Sequence, residues 1–180
     1  SLLYPSSGSA IIFGTDCIQF GPELRQDIGY LPSDVFYYER MKVIDLLKYS
    51  ASFYEKDCMP RLYELAEIME LDLKRRIDDL SYGNKKKVGI VQGLLHQPRL
   101  LLLDEPLLGL SPIFQRELVE AILRIRDETG ITILMCEQFA RPILSRLDFA
   151  YVIENGMLAL SGKGPELMEN PEVRAAYFGV

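Results

Sequence analysis

Two adjacent acids, Asp104 and Glu105, directly follow four leucines at positions 100–103. An apolar run without alternation is typical of a strand covered on both faces, as in a parallel sheet. The acids would then lie at the carboxyl end of this strand, where open α/β sheets bind their ligands. The pattern predicts a ligand-binding edge with two carboxylates, and its alternative is a plain buried strand that meets a solvated turn.

A second group of candidate residues begins at Ser81, just before a predicted helix. The apolar positions within residues 87–95 follow helical spacing, and Gln97-Pro98 ends the pattern. Ser81 is a suitable N-cap, and the backbone N–H groups behind it form a site for an anion. We expect at least two of the lysines at positions 85–87 to lie on a solvated face.

The rest of the chain supplies the elements that would position these residues. The pattern predicts the following elements: strands at 10–13, 28–32 and 131–136, three helical segments within 40–79, a helix from Ser111-Pro112 to Gly130, a hairpin at 150–160 turning at Asn155-Gly156, and two short helices within 163–179. Buried strands that alternate with helices predict an α/β fold with a mostly parallel sheet.

Composition limits the class of protein. With 180 residues the chain can form one domain with a real core, and its net charge of −6 gives no basic footprint for nucleic acid. The apolar runs are too short to span a membrane, so we expect neither membrane insertion nor a targeting segment at the start. Three cysteines at unrelated spacings predict buried thiols in a reducing compartment rather than disulfides or a metal site.

Residues 80–106 resemble the ATP-binding domain of ATP-binding-cassette (ABC) transporters, which has a P-loop NTPase fold. Leu80-Ser81-Tyr82-Gly83-Asn84 is similar to the family's signature motif, usually LSGGQ, and residues 100–105 are similar to its Walker B strand followed by the catalytic glutamate. One helix separates the two motifs, as in the family. The pair is more specific than either motif alone.

The resemblance implies a role for each matching residue. Asp104 would hold Mg²⁺ through water, Glu105 would polarise the water that attacks ATP, and Gln138 would replace the histidine that senses the γ-phosphate. Ser81, Gly83 and Asn84 would contact a nucleotide that the other protomer of a dimer holds. Ser33 would stand in place of the Q-loop glutamine and contact nucleotide there. Ser33-Asp34 could equally be only a turn. The implied cofactors are ATP and Mg²⁺. The implied partners are a transporter membrane subunit and a second ATP-binding domain, at the cytoplasmic face of a membrane.

One element of the family is absent from this sequence. The phosphate loop G-x-x-x-x-G-K-[ST] (Walker A) occurs nowhere, since the only Gly-Lys pair is Gly162-Lys163, which Gly164 follows. We therefore expect the chain to begin just downstream of that loop and to bind or hydrolyse ATP poorly alone. In the family the phosphate-loop strand lies beside the Walker B strand, so its absence should leave an apolar strand edge open next to residues 100–104. A rearranged strand order, a swap with another copy or a bound partner would then have to fill the gap.

The resemblance divides the chain in two ways. We predict a partial ATPase core at residues 1–36, a helical subdomain at 37–80, and the signature helix, Walker B strand and C-terminal core at 81–180. Residues 1–106 resemble ATPases of ABC-2 exporters, and residues 107–180 resemble those of branched-chain amino acid importers. The chain would be an engineered chimera, a truncated fusion or a divergent natural ATPase.

Three functions follow from these patterns. The first is an ATP-hydrolysing transporter subunit. The second is a non-catalytic fold fragment, a scaffold, or a half-site that supplies the signature motif to another domain in trans. The third function, that of an unrelated α/β nucleotide or phosphate protein, is disfavoured by the ordered set of motifs.

An aromatic cluster at residues 36–38 and 49–54 would be either core or a groove for a partner.

Overall fold

The structure is a computed structural model that describes residues 6–175. The strands, in chain order, are β1 (Ile11–Ile12), β2 (Thr15–Asp16), β3 (Ile28–Leu31), β4 (Leu100–Asp104), β5 (Thr132–Cys136), β6 (Ala150–Glu154) and β7 (Met157–Gly162). The α-helices are α1 (Gly21–Leu24), α2 (Val43–Ala51), α3 (Met59–Ile68), α4 (Tyr82–Leu94), α5 (Pro112–Thr129), α6 (Gly164–Glu169) and α7 (Pro171–Val173). Short 3₁₀ turns occupy Arg25–Asp27, Ile77–Asp79 and Leu144–Arg146.

A parallel sheet in the order β3-β4-β5 forms the centre of the fold. Ile28 lies opposite Leu100 across the first pair of strands, and Asp104 lies opposite Cys136 across the second. Leu101 and Leu103 are buried, as the unbroken apolar run predicts. All three strands therefore end at one edge, with the acids at its middle.

Helix α4 lies close against β3 because two glycines remove the side chains between them. A Cβ added to Gly29 would overlap the carbonyl oxygen of Gly93. This close approach fixes the position of α4 relative to the sheet. The residues of its first turns are thereby held near the carboxyl ends of β3 and β4.

The predicted caps of α5 and the predicted hairpin turn are confirmed. Ser111 Oγ accepts a hydrogen bond from the backbone N–H of Phe114, and Gly130 ends the helix in the left-handed conformation. Asn155 and Gly156 both have positive φ, as a type I′ turn between β6 and β7 requires. The second predicted C-terminal helix is observed only as Pro171–Val173, and the end of its predicted range lies outside the described residues.

The expected open edge next to β4 is wrong, because β4 pairs with β3 on one side and with β5 on the other. Among the described residues the unpaired edges of this sheet are the outer sides of β3 and β5, and the hairpin β6-β7 forms a separate two-stranded sheet. Leu134 of β5 is accordingly 53% exposed. Unsatisfied backbone groups and apolar side chains therefore meet solvent at β5.

Helices α2 and α3 pack against α4 through a continuous apolar core. Of the aromatic cluster, Tyr37 and Tyr54 pack against this core, whereas four other rings are exposed. We call these four rings the aromatic patch: Phe36, Tyr38, Tyr49 and Phe53. Tyr49 meets Tyr38 and Phe53 edge-to-face, with ring centroids 6.3 and 5.1 Å apart. The cluster is thus partly core and partly surface.

Two further observations bear on the composition. Cys58 is buried as expected, but Cys136 is exposed at the end of β5, so the prediction of buried thiols is wrong for that residue. Within residues 6–175, no helix has both the length and the apolarity that a membrane crossing needs.

Candidate functional site

The backbone of Glu105 turns sharply at the end of β4. Its φ is 44°, in the left-handed region that a residue with a side chain adopts at a cost. Its N–H continues the ladder to the carbonyl of Cys136 at 2.9 Å, and its own carbonyl accepts from the N–H of Leu108 at 3.2 Å. Strain of this kind often occurs at functional sites, where the surrounding structure enforces it.

Gln138 lies beside Glu105, the other residue to which the resemblance gives a catalytic role. The Gln138 Nε2 donates a hydrogen bond to Glu105 Oε1 at 3.1 Å. The contact is possible because β4 and β5 end at the same edge, so residues that follow each strand meet. An amide can orient the carboxylate but cannot take up its charge or a proton.

Glu137 is a residue of this edge that the sequence prediction did not single out. Its Oε1 accepts a hydrogen bond from the N–H of Leu107 at 2.6 Å, which ties the segment after β5 to the turn after β4. Its Oε2 is buried and has no hydrogen-bond partner among the described residues. Burial is the main reason that the pKa of Glu137 is raised. The only sequence signal was its position directly after a predicted buried strand.

Lys86 is the second residue that the sequence prediction missed. Its side chain is 0% exposed, and Lys87 is buried as well with its ammonium over the Phe114 ring, so the prediction of a solvated lysine face is wrong. The Lys86 Nζ donates to the backbone carbonyl of Ser33 at 2.5 Å and to that of Glu105 at 3.0 Å. Burial lowers the pKa of Lys86, whereas the charge of Glu137 and of other nearby carboxylates opposes that effect.

Ser33 takes part in the site through its backbone carbonyl. Besides Lys86, this oxygen accepts a hydrogen bond from the Tyr82 hydroxyl at 3.1 Å. The Tyr82 ring also faces the Lys86 ammonium, which lies 5.4 Å from its centroid. Both α4 residues thus contact the turn after β3, and a substitution of the Ser33 side chain would leave these bonds in place.

The signature-like turn at residues 81–84 is built as predicted at its N-cap. Ser81 Oγ accepts a hydrogen bond from the backbone N–H of Asn84 at 3.3 Å. Gly83 has a packing reason to be glycine, because an added Cβ would overlap the Phe114 ring. The absence of a side chain at this position is therefore explained by contact with α5 as well as by the expected nucleotide contact.

This edge of the sheet supplies acids, but its described residues form no phosphate cradle. Across residues 6–175, no group of three or more His, Cys, Asp or Glu side chains is placed to hold a metal ion. The sequence contains no phosphate-loop motif, and the buried ammonium of Lys86 is directed at backbone carbonyls. The chain presents two acids and a signature-like turn without a phosphate cradle. The acids and the turn together are part of the site of a P-loop nucleotide hydrolase.

Comparison with known proteins gives the family. A model described as "ABC transporter" matches residues 1–108. The chain is 35% identical over 160 residues to the high-affinity branched-chain amino acid transport ATP-binding protein BraG of Pseudomonas aeruginosa, covering 87% of this chain and 68% of BraG. It is 28% identical over 186 aligned positions to the lipopolysaccharide export system ATP-binding protein LptB of Escherichia coli, covering 98% of this chain and 77% of LptB.

A solved structure agrees with this result. The chain is similar to cbiO1 from Clostridium perfringens, part of the ABC transporter complex cbiONQ, with a TM-score of 0.83 and 25% identity over 97% of this chain and 73% of that one. The chain belongs to the ABC transporter ATP-binding family and has its P-loop NTPase fold. Members of this family use ATP and Mg²⁺ and work as dimers with membrane subunits.

Proposed function

We propose that this chain acts in ATP-driven membrane transport as an ATP-binding-type subunit that contributes only part of a nucleotide site. The main support for this proposal is the hydrogen bond between Gln138 and Glu105 at the end of β4, in a sequence without a phosphate loop. Asp104 and Glu105 are the acids that the chain would contribute to a complete site. Alone, it would bind and hydrolyse ATP poorly.

The signature-like turn is the part most suited to act on another domain. Ser81 caps α4, and the first backbone N–H groups of a helix favour a negatively charged group. We propose that Ser81 and Asn84 face a nucleotide held by a second ATP-binding domain. Ser33, through its turn, would border the same edge.

The aromatic patch is the surface we propose for the membrane subunit. Phe36 is 89% exposed, and exposed aromatic rings favour interfaces. Phe36 and Tyr38 lie on the segment after β3, Tyr49 lies on α2 and Phe53 follows it. All but Phe36 belong to the region 37–80 that we propose as the helical subdomain between a core at 1–36 and a core at 81–180. Binding there would hold the chain at the cytoplasmic face of a membrane.

An ATPase assay in trans tests this proposal. The chain is mixed with a fixed amount of an intact relative, such as BraG, over a range of molar ratios. We expect the ATPase rate to rise with added chain, and Ser81→Arg to abolish the rise because a long cation then occupies the helix N-terminus. Ser7→Arg is the matched control, because Ser7 is exposed and lies far from Ser81 in the sequence. Lack of stimulation at every ratio would refute the half-site role.

The alternative is a non-catalytic fold fragment, including a chimera joined near residue 106. A parent gene that carries both parts contiguously, with a phosphate loop upstream, would exclude the engineered chimera.

A further inference from the structure

Lys86 is a buried cation whose hydrogen bonds go to backbone carbonyls of two separate turns. Its two acceptors belong to Ser33, 53 residues before it, and to Glu105, 19 residues after it. Neither bond involves a carboxylate, although acids lie nearby. A buried ammonium is costly unless its donors are satisfied, so this geometry is strongly determined by the two carbonyls.

The two turns differ in what they connect to. The Ser33 turn follows β3 and leads directly to Phe36 of the aromatic patch. The Glu105 turn carries the strained acid, and its carbonyl also accepts from the N–H of Leu108. The Lys86 side chain is thus a physical link between the surface proposed for a partner and the acid at the sheet edge.

We propose that Lys86 is a positioning residue that couples the turn at Ser33 to the backbone of Glu105. A displacement of the Ser33 carbonyl changes the Lys86 bond and, through it, the orientation of the Glu105 carbonyl. The connection runs through the main chain of Ser33, because its backbone carbonyl is the acceptor. This inference rests on the proposed function for its use in transport, but the link itself needs no nucleotide.

Tyr82 provides an independent handle on the link. Its hydroxyl shares the Ser33 carbonyl with Lys86, whereas none of its hydrogen bonds reaches the Glu105 turn. Tyr82→Phe therefore removes one bond to the Ser33 turn and keeps the ring beside Lys86. If Lys86 carries the coupling, Tyr82→Phe should affect the Glu105 turn when Lys86 is present and should not affect it when Lys86 is replaced.

The test is solution NMR of the whole chain with Lys86→Met, which keeps the length and burial of the side chain but cannot donate. We expect the carbonyl ¹³C resonances of Ser33 and Glu105 to move upfield together, and the exchange rate of the Leu108 amide to rise about tenfold. The amide of Leu103, inside β4, should be unchanged. Lys85→Met is the matched control, because Lys85 is a partly buried lysine of the same helix. Within residues 6–175, its recorded side-chain hydrogen bonds include none to either turn.

A double-mutant cycle completes the test. Tyr82→Phe should raise Leu108 exchange roughly threefold in the wild-type background and add nothing in Lys86→Met, because coupled residues are not additive. Additive effects, or carbonyl shifts no larger than those of Lys85→Met, would overturn the proposal. A uniform rise in exchange through β4 and α4 would do the same, since Lys86 would then act only on global stability.

If Lys86→Met does not fold, Lys86→Gln is measured in the same way, because its shorter side chain keeps a donor. Failure of both variants to fold would contradict a positioning role.

In the ATPase assay with BraG, we expect Lys86→Met to lower kcat without changing KM for ATP. Absent stimulation by the wild type with the NMR effects intact would refute the proposed function and leave the Lys86 link standing.

Discussion

Gly83 offers a direct test of how the signature-like turn is built, because packing and nucleotide binding make different predictions for it. If glycine serves only a nucleotide contact, Gly83→Ala should leave stability unchanged or slightly increased. The structure predicts a loss instead. An added Cβ would overlap Phe114 Cε1 and lie 2.6 and 2.8 Å from Cδ1 and Cζ, all closer than carbon atoms normally approach.

The expected size of the loss follows from two opposing terms. Overpacking a well-filled contact costs about 1–3 kcal/mol. Alanine in place of glycine near a helix start returns about 0.5 kcal/mol from backbone entropy. Phe114 is only partly buried, so its ring can move aside and the cost stays in the lower part of the range. We expect a net destabilisation of about 0.5–1.5 kcal/mol, or a decrease in Tm of roughly 1–6 °C.

The assay is urea unfolding of four proteins: wild type, Gly83→Ala, Phe114→Ala and the double variant. In the Phe114→Ala background the clash is gone, and Gly83→Ala should become stabilising by about 0.5 kcal/mol. This change of sign is specific to a clash with Phe114. An equal loss in both backgrounds, or no loss in the wild type, would refute the packing explanation.

Glu105→Gly should stabilise the chain by up to about 1 kcal/mol in thermal unfolding, because glycine adopts the φ of 44° without cost, and unchanged or lower stability would show that the turn is not strained. Burial raises the pKa of Glu137, so wild-type stability should fall as pH rises from the unfolded pKa through the folded one, and Glu137→Gln should flatten this fall in unfolding measured at several pH values. Burial lowers the pKa of His96, the single histidine, so stability should decrease as pH falls below 6.5. His96→Phe keeps a ring stacked on Tyr54 and should remove that decrease, whereas an unchanged slope would exclude His96 as its cause.

Features set by local chemistry could be predicted from the sequence. The N-cap at Ser111, the C-cap at Gly130 and the Asn155-Gly156 turn depend on one to four neighbouring residues. The burial of β4 followed from an unbroken leucine run. The position of Asp104 and Glu105 at the carboxyl end of that strand followed from the acids that come directly after the run.

Features set by distant contacts could not be predicted in this way. Three consecutive lysines suggest a solvated face, yet Lys86 is buried because carbonyls far away in sequence accept its hydrogen bonds. Nothing near Gly83 in sequence indicates that Phe114 packs on it. Which strands carry an unpaired edge depends on strand order, and the sequence pattern does not show that β4 is central while β3 and β5 are outer strands.

The affinity of this chain alone for Mg-ATP most directly tests the proposal that it supplies only part of a nucleotide site. Isothermal titration calorimetry measures this affinity for the wild type and for Asp104→Ala. We expect no saturable binding in the micromolar range, and the same weak heats for wild type and variant, because no phosphate loop cradles the nucleotide. Micromolar affinity that Asp104→Ala removes would contradict it and would show that the chain holds a nucleotide without a second domain.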